Sequence, residues 1–336
     1  MYAVNLHGSG VATQVMAALL KHVGFEDFST TRDGAAEPEL PVYTLPANQT
    51  RILRALDRLD ELTAVAHQPD REQIRLAPSD YLLAELPLGN FYRDRYGAPL
   101  INVDHADLLD KTQVEIPNLE PREAELTIDT ATSTLSNNAT HTLWHATCDG
   151  APSKANVTYL GEHSSIAWFC TTPSQHHAFF LLPQDISPAE LRWNPLMGEL
   201  AKQASKLRPV DLNPPNREYW IEGNWVFLGH ACHHPSVIQR ESWFSGIEDA
   251  WVLSRMMLNY EEDIGDGLAE YERYRRPRLE RIRQANLKRA ERLLAHSAFN
   301  KLTRNVAIAL RSRFLPEFAM QDIDWFHQYD CIKGFR

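Results

Sequence analysis

The sequence lacks any run of about 18 apolar residues, so no segment is expected to span a membrane. It lacks paired cysteines: Cys148, Cys170, Cys232 and Cys331 are scattered and form no C-x-x-C motif. Free thiols in a reducing cytoplasm are therefore expected. No basic leader precedes the strand-like Ala3-Val4-Asn5-Leu6, so no secretory signal is expected. Internal repeats and low-complexity tracts are absent as well. Positive charge is in deficit: 34 Lys+Arg against 44 Asp+Glu give a net charge of -10. That balance argues against nucleic acid as a partner.

What is present is ordinary for a globular protein. Hydrophobic residues make up 43% and charged residues 23% of 336, which excludes a disordered chain or a coiled coil. The length predicts two intimately packed domains. Charge is unevenly spread. Residues 271–295 hold nine Lys+Arg and three Glu, a local +6, which leaves -16 for the rest. Such a helix either pairs with acidic neighbours or serves as a docking surface through Arg275, Arg276 and Arg283.

The chain opens as strand, glycine turn, helix and strand. Residues 3–7 are the strand and Gly8-Ser9-Gly10 the turn. Residues 11–23 are a helix with Val15, Ala18, Leu19 and Val23 on one side, ended by Gly24. A βαβ opening favours a parallel sheet, so the fold class is α/β. Gly8-x-Gly10 is the start of a dinucleotide fingerprint, in which bare backbone at a helix N-terminus meets a pyrophosphate. The third glycine of that pattern is Thr13 here. Residues 123–147 alternate polar and apolar as antiparallel strands do, and residues 165–169 and 178–182 continue the pattern. Residues 225–228 read as a short buried strand, and residues 246–260 and 268–298 as helices.

Four further segments carry a resemblance. Gly223-Asn-Trp-Val-Phe-Leu-Gly-His-Ala-Cys-His-His-Pro235 runs on to Ser245-Gly-Ile-Glu-Asp-Ala250. Gly97 to Leu109 ends in His105-Ala-Asp-Leu. Residues 145–154 contain Asp149-Gly150, followed by Ser153, and the tail carries Asp324-Trp-Phe-His-Gln-Tyr-Asp330. In this order the segments resemble the class A flavoprotein monooxygenases, the aromatic hydroxylase family of salicylate and para-hydroxybenzoate hydroxylases. The resemblance implies a Rossmann-like FAD-binding fold of the GR2 type, with a reduced β-sheet substrate domain and C-terminal helices. It assigns residues 1–60, 97–115, 140–156 and 216–296 to the dinucleotide-binding-like domain. Residues 61–96, 116–139 and 157–215 go to the substrate domain, and 297–336 to a C-terminal extension. Only 79 residues separate Asp149 from Gly229, which makes the substrate domain small.

The departures from the family cluster on positions that would touch the cofactor. Thr31 stands where an acidic residue would hold the adenosine ribose. His105 replaces the arginine of R-A-D-L, and His230 replaces the aspartate of G-D. Arg240-Glu241-Ser242 replaces the G-Q-G turn, Phe244 its following asparagine, and Val237 the preceding proline. Each lost charged hydrogen bond is worth about 1.5–3 kcal/mol, so three additive losses weaken binding by roughly three to six powers of ten.

The expectation is therefore a flavin-monooxygenase-like protein without FAD, acting on a small aromatic or polyketide-like molecule or serving as a partner subunit of an active relative. His230 and His105 are the candidate proton-transfer residues. Gly8, Gly10, Asp149 and Gly150 are the remnant FAD motif, and Arg240, Trp243 and Phe244 would line the groove. No metal is expected, because the spacing of His230, Cys232, His233 and His234 matches no established zinc pattern. Two rival readings are an FAD- and NAD(P)H-dependent aromatic hydroxylase and a non-catalytic scaffold.

Overall fold

The computed structural model of the chain describes residues 2–31, 40–116, 124–131, 138–233, 238, 241, 243, 245–295, 297–314 and 316–335. The strands are β1 (Val4–His7), β2 (Phe28–Thr31), β3 (Val42–Leu45), β4 (Arg71–Leu76), β5 (Leu82–Pro87), β6 (Ile101–Asp104) and β7 (Leu126–Asp129). They continue with β8 (His141–Asp149), β9 (Ala155–Leu160), β10 (Ser165–Cys170), β11 (Gln175–Pro183), β12 (Ser205–Val210), β13 (Ile221–Glu222) and β14 (Trp225–Phe227). The helices are α1 (Val11–His22), α2 (Ala47–Ala55), α3 (Leu59–Val65), α4 (Gly89–Tyr96), α5 (His105–Thr112) and α6 (Pro195–Gln203). α7 (Ser245–Asn259), α8 (Ile264–Leu293), α9 (Ala298–Phe314) and α10 (Pro316–His327) follow.

The opening βαβ unit forms as its pattern dictates. β1 pairs in parallel with β2 on one side and β7 on the other, in a sheet of order β13-β14-β7-β1-β2. Val11, Val15, Met16, Leu19 and Leu20 of α1 are buried, as a helix laid on a parallel sheet requires. α7 packs across α1, and α8 packs on α7.

The second sheet has the order β12-β8-β11-β10-β9-β4-β5 and is antiparallel except for the β4–β9 pair. α6 covers one face, setting Met197, Leu200 and Ala201 against Ala146, Phe180 and Leu182. Leu143, Phe169, Phe179 and Leu181 of the other face join the main core. The short pair β3–β6 is tied to the seven-stranded sheet: the Asn102 side-chain amide donates to Asn156 Oδ1 of β9 at 2.8 Å.

One expectation is corrected. Residues 123–147 are not one antiparallel stretch. β7 is a parallel strand beside β1, buried at all four residues, whereas β8 belongs to the seven-stranded sheet. β7 stands in the sheet of β1, and β8 and β9 stand in the seven-stranded sheet. Local alternation reports burial of a face and says nothing of which sheet supplies the partner. α2 and α3 are separate helices, with the break at Asp57, whose φ is +57°.

Candidate functional site

The glycine turn after β1 is closed by two threonines. Gly8 has φ +135°, and a Cβ there would sit 2.3 Å from Thr130 Oγ1. Only glycine tolerates both conditions. The Thr130 hydroxyl donates to the His7 carbonyl at 3.1 Å. Its one proton is thus committed, so it accepts from the Thr13 hydroxyl, 2.6 Å away and buried. Asp129 accepts from the Ala131 amide at 2.8 Å and lies 3.1 Å from His7 Nδ1. At the end of β2 the Thr31 hydroxyl donates to Asn5 Oδ1 at 2.8 Å. Gly10 caps α1 with extended backbone and no side-chain bond.

His105 and His230 lie at opposite ends of one row of rings. His105 meets Tyr43 of β3 at 5.8 Å, Tyr43 meets Trp243 at 6.5 Å, and Trp243 meets His230 at 5.4 Å. His230 Nε2 also contacts the Trp243 carbonyl at 3.1 Å. The indole of Trp243 is buried, with Arg208 of β12 stacked over it at 5.4 Å. Gly229 fixes this corner: its backbone approaches Gly246 of α7 so closely that a Cβ on Gly246 would stand 2.9 Å from Gly229 Cα. Arg240 and Phe244, expected to line the groove, lie outside the described residues, as does His234.

A second polar cluster, not anticipated from the sequence, stands on the core-facing side of the seven-stranded sheet. His145 of β8 and His177 of β11 are stacked, with Nε2 of the first 3.1 Å from Nδ1 of the second. His177 Nε2 lies 3.2 Å from the Thr171 hydroxyl and 3.7 Å from Asp104 Oδ1. The Thr171 hydroxyl donates to Gln175 Oε1 at 3.2 Å. The consistent proton assignment has His177 Nε2–H donating to Thr171 and His145 Nε2–H donating to His177 Nδ1. His145 Nδ1 then keeps its lone pair. Burial holds the His145 imidazole down at about 4. Burial does the same to His177, also at about 4, and neighbouring His145 and His176 add to it. Both rings are therefore neutral at pH 7. Burial raises the Asp104 carboxyl. Phe179 lies on His145 at 4.7 Å and also lines a small pocket of about 20 Å³ with Leu143, Ala167, Ile238 and Arg289.

The Glu248-Asp249 pair, read as a surviving family motif, is the centre of a buried ion network. Arg275 Nε donates to Asp249 at 2.7 Å and its Nη1 lies 2.8 Å from Glu248. Arg278 binds Glu248 at 2.9 Å and 3.0 Å and also the Phe326 carbonyl at 3.2 Å. Asn48 of α2 donates to Glu248 at 2.6 Å. Burial pushes the Glu248 carboxyl up, but Arg278 and Arg275 outweigh it and hold it at about 2. The three arginines of the docking reading differ in exposure. Arg275 is fully buried, Arg276 is bound to Glu272 and stacked on Trp220, and Arg283 is paired with Glu280.

Cys232, His233 and Asp249 bring one possible ligand atom each within 4.8 Å. They do not suit a cation. Asp249 already accepts from Gly229 N, His233 Nε2 and Arg275 Nε. Burial also pushes the Cys232 thiol far above its ordinary range, away from the thiolate a metal needs.

Asp149 and Gly150 do not join Gly8 and Gly10. They end β8 in the other sheet, where a Cβ on Gly150 would meet the His176 ring at 3.0 Å. The strand beside the glycine turn ends instead in Asp129-Thr130-Ala131. The spacing of Asp129 to Ser133 equals that of Asp149 to Ser153, so the signal was in the sequence at both places. Thr130 stands where the pattern has glycine.

No protein-family model matches this sequence, and no curated protein matches it. Solved structures do. HpxO of Klebsiella pneumoniae, complexed with FAD and uric acid, matches with a TM-score of 0.78 at 16% identity, over 96% of this chain and 95% of that one. A salicylate hydroxylase substrate complex matches with a TM-score of 0.76 at 12% identity, over 98% and 96%. PqsL of Pseudomonas aeruginosa in complex with 2-aminobenzoylacetate matches with a TM-score of 0.71 at 14% identity, over 91% and 99%. The chain thus has the fold of the class A FAD-dependent monooxygenases over nearly its whole length. Its β2 end and Gly229-His230 corner do not fit the way the resemblance has FAD held: Thr31 offers no carboxylate, and a buried indole packs between Tyr43 and His230.

Proposed function

We propose that this protein uses the flavin monooxygenase fold without FAD, and that it binds a small hydroxylated aromatic or polyketide-like molecule for proton-transfer chemistry. The observation that carries the proposal is the end of β2, where the Thr31 hydroxyl is bound to Asn5 Oδ1 at the position from which the resemblance has a carboxylate hold the adenosine ribose.

The groups offered to a ligand are imidazoles. His145 Nδ1 is an acceptor backed by His177, Thr171 and Asp104. Its neutral state at pH 7 suits it to take a hydrogen bond from a phenol or enol hydroxyl. Phe179 beside it offers a ring face. His105 and His230 flank the Tyr43–Trp243 row as further proton-transfer candidates. A general base accepts the ligand proton on a ring nitrogen and returns it at another atom, so an isomerisation or cyclisation needs no electron carrier.

The test is the visible spectrum of the freshly purified protein, repeated during titration with FAD. The expected protein is colourless and leaves the spectrum of added FAD unperturbed. A bound-flavin absorption band would overturn the proposal. It would favour the second reading, an FAD- and NAD(P)H-dependent aromatic hydroxylase, which the near-complete overlap with FAD-complexed HpxO supports. NAD(P)H oxidation stimulated by phenols would then be the assay.

A further inference from the structure

α9 is amphipathic, but it is docked with its polar side inward. Lys301 reaches Glu162 in the β9–β10 turn at 3.2 Å. Arg304 donates to the carbonyls of Arg292 and Leu293 at 3.0 Å and 2.9 Å. The Ser312 hydroxyl accepts from the Glu85 amide of β5 at 3.1 Å. The helix therefore lies along β5, the edge strand of the seven-stranded sheet, and shields that edge. Its apolar side faces out. Phe299 is 72% exposed, Leu302 62%, Val306 47% and Leu310 52%. The spacing of three, four and four residues puts these side chains on one stripe about three turns long. Tyr81 and Leu82, at the start of β5, are exposed as well.

Solvent exposure of four large apolar side chains in line, while lysine and arginine turn inward, is the reverse of what folding in water favours. Charge decides between candidates. The chain carries -10 overall, yet residues 298–314 hold Lys301, Arg304, Arg311 and Arg313 and no acidic residue. With Lys301 neutralised by Glu162 the segment counts +3, and two copies meeting through α9 would bring two such segments together. An anionic lipid surface would meet them with opposite charge.

We propose that α9 is a membrane-surface helix that seats the protein on anionic bilayers. Phe299, Leu302, Val306 and Leu310 enter the boundary between headgroups and acyl chains. No helix among the described residues is long and apolar enough to cross a bilayer, so the association is peripheral and reversible.

The experiment is flotation of the full chain with vesicles of phosphatidylcholine alone and with a phosphatidylglycerol admixture. The expected result is flotation with the anionic vesicles only. It should weaken at least tenfold in the Leu302→Glu, Leu310→Glu variant and fall as salt is raised. Far-ultraviolet circular dichroism and the melting temperature confirm that the variant is folded. Absence of flotation with anionic vesicles overturns the proposal, and so does equal flotation of the folded variant. A wild-type dimer in light scattering that this variant converts to monomer also overturns it, because the stripe is then covered by a second copy.

Discussion

The Thr13 hydroxyl lies 2.6 Å from the Thr130 hydroxyl, across a glycine that has no room for a side chain. One threonine comes from the first turn of α1 and the other from the residue after β7, 117 positions apart. They tie the first helix to the end of the neighbouring parallel strand beside the glycine turn.

Gly8→Ala is expected to destabilise the protein by roughly 2–4 kcal/mol, since a Cβ would both press on Thr130 Oγ1 and hold an unfavourable positive φ. Adding Thr130→Gly should restore part of that loss by removing the wall and leave the φ penalty. Denaturant midpoints of the single and double variants check this. A Gly8→Ala variant as stable as wild type would contradict the geometry.

Arg275→Met should cost about 3–5 kcal/mol, because it strands Glu248 and Asp249 as buried charges with too few partners. Arg273→Ala on the same helix should change stability by less than about 0.5 kcal/mol, since the Arg273–Glu270 pair is exposed. Thermal unfolding of the two variants distinguishes a structural α8 from a docking surface. Charge reversal at Arg275 should fail to fold rather than merely lose a partner.

Stability should fall as pH falls from about 6.5 to about 4. Burial holds His145, His177 and His327 at about 4 in the folded chain, against the ordinary 6.5. In that window the unfolded chain binds protons that the folded chain refuses, so acid favours unfolding. The contribution is complete above about 6.5 and gone below about 4. Urea midpoints at pH 7, 5.5 and 4.5 should decline in that order. A flat series would mean that these rings take protons while folded.

His145→Phe keeps a ring against Phe179 but removes Nδ1 as an acceptor. Thermal shifts produced by hydroxylated aromatic compounds in the wild-type protein should shrink in this variant by the equivalent of about tenfold in affinity, the worth of one hydrogen bond of about 1.4 kcal/mol. Shifts from isosteric compounds without the hydroxyl should not change between the two proteins. Equal shifts for both compound classes in both proteins would remove His145 from the ligand site.

By itself the sequence determined the opening βαβ unit, the glycine turn and the short strand before Gly229, because those depend on residues near one another in the chain. It also determined the replacement of carboxylates and glycines by Thr13, Thr31, His105 and His230, since identity at a position needs no coordinates. Only the tertiary structure decided which Asp-x-x-x-Ser segment stands beside the glycine turn: β7 and β8 both carry one, and sheet pairing is non-local. It also decided that Arg275 and Arg278 are buried, that His145 and His177 share a bond across two strands, and that α9 turns its apolar side outward. Periodicity gives a helix an apolar side; only the packing of distant elements decides whether that side meets a core or is left facing out.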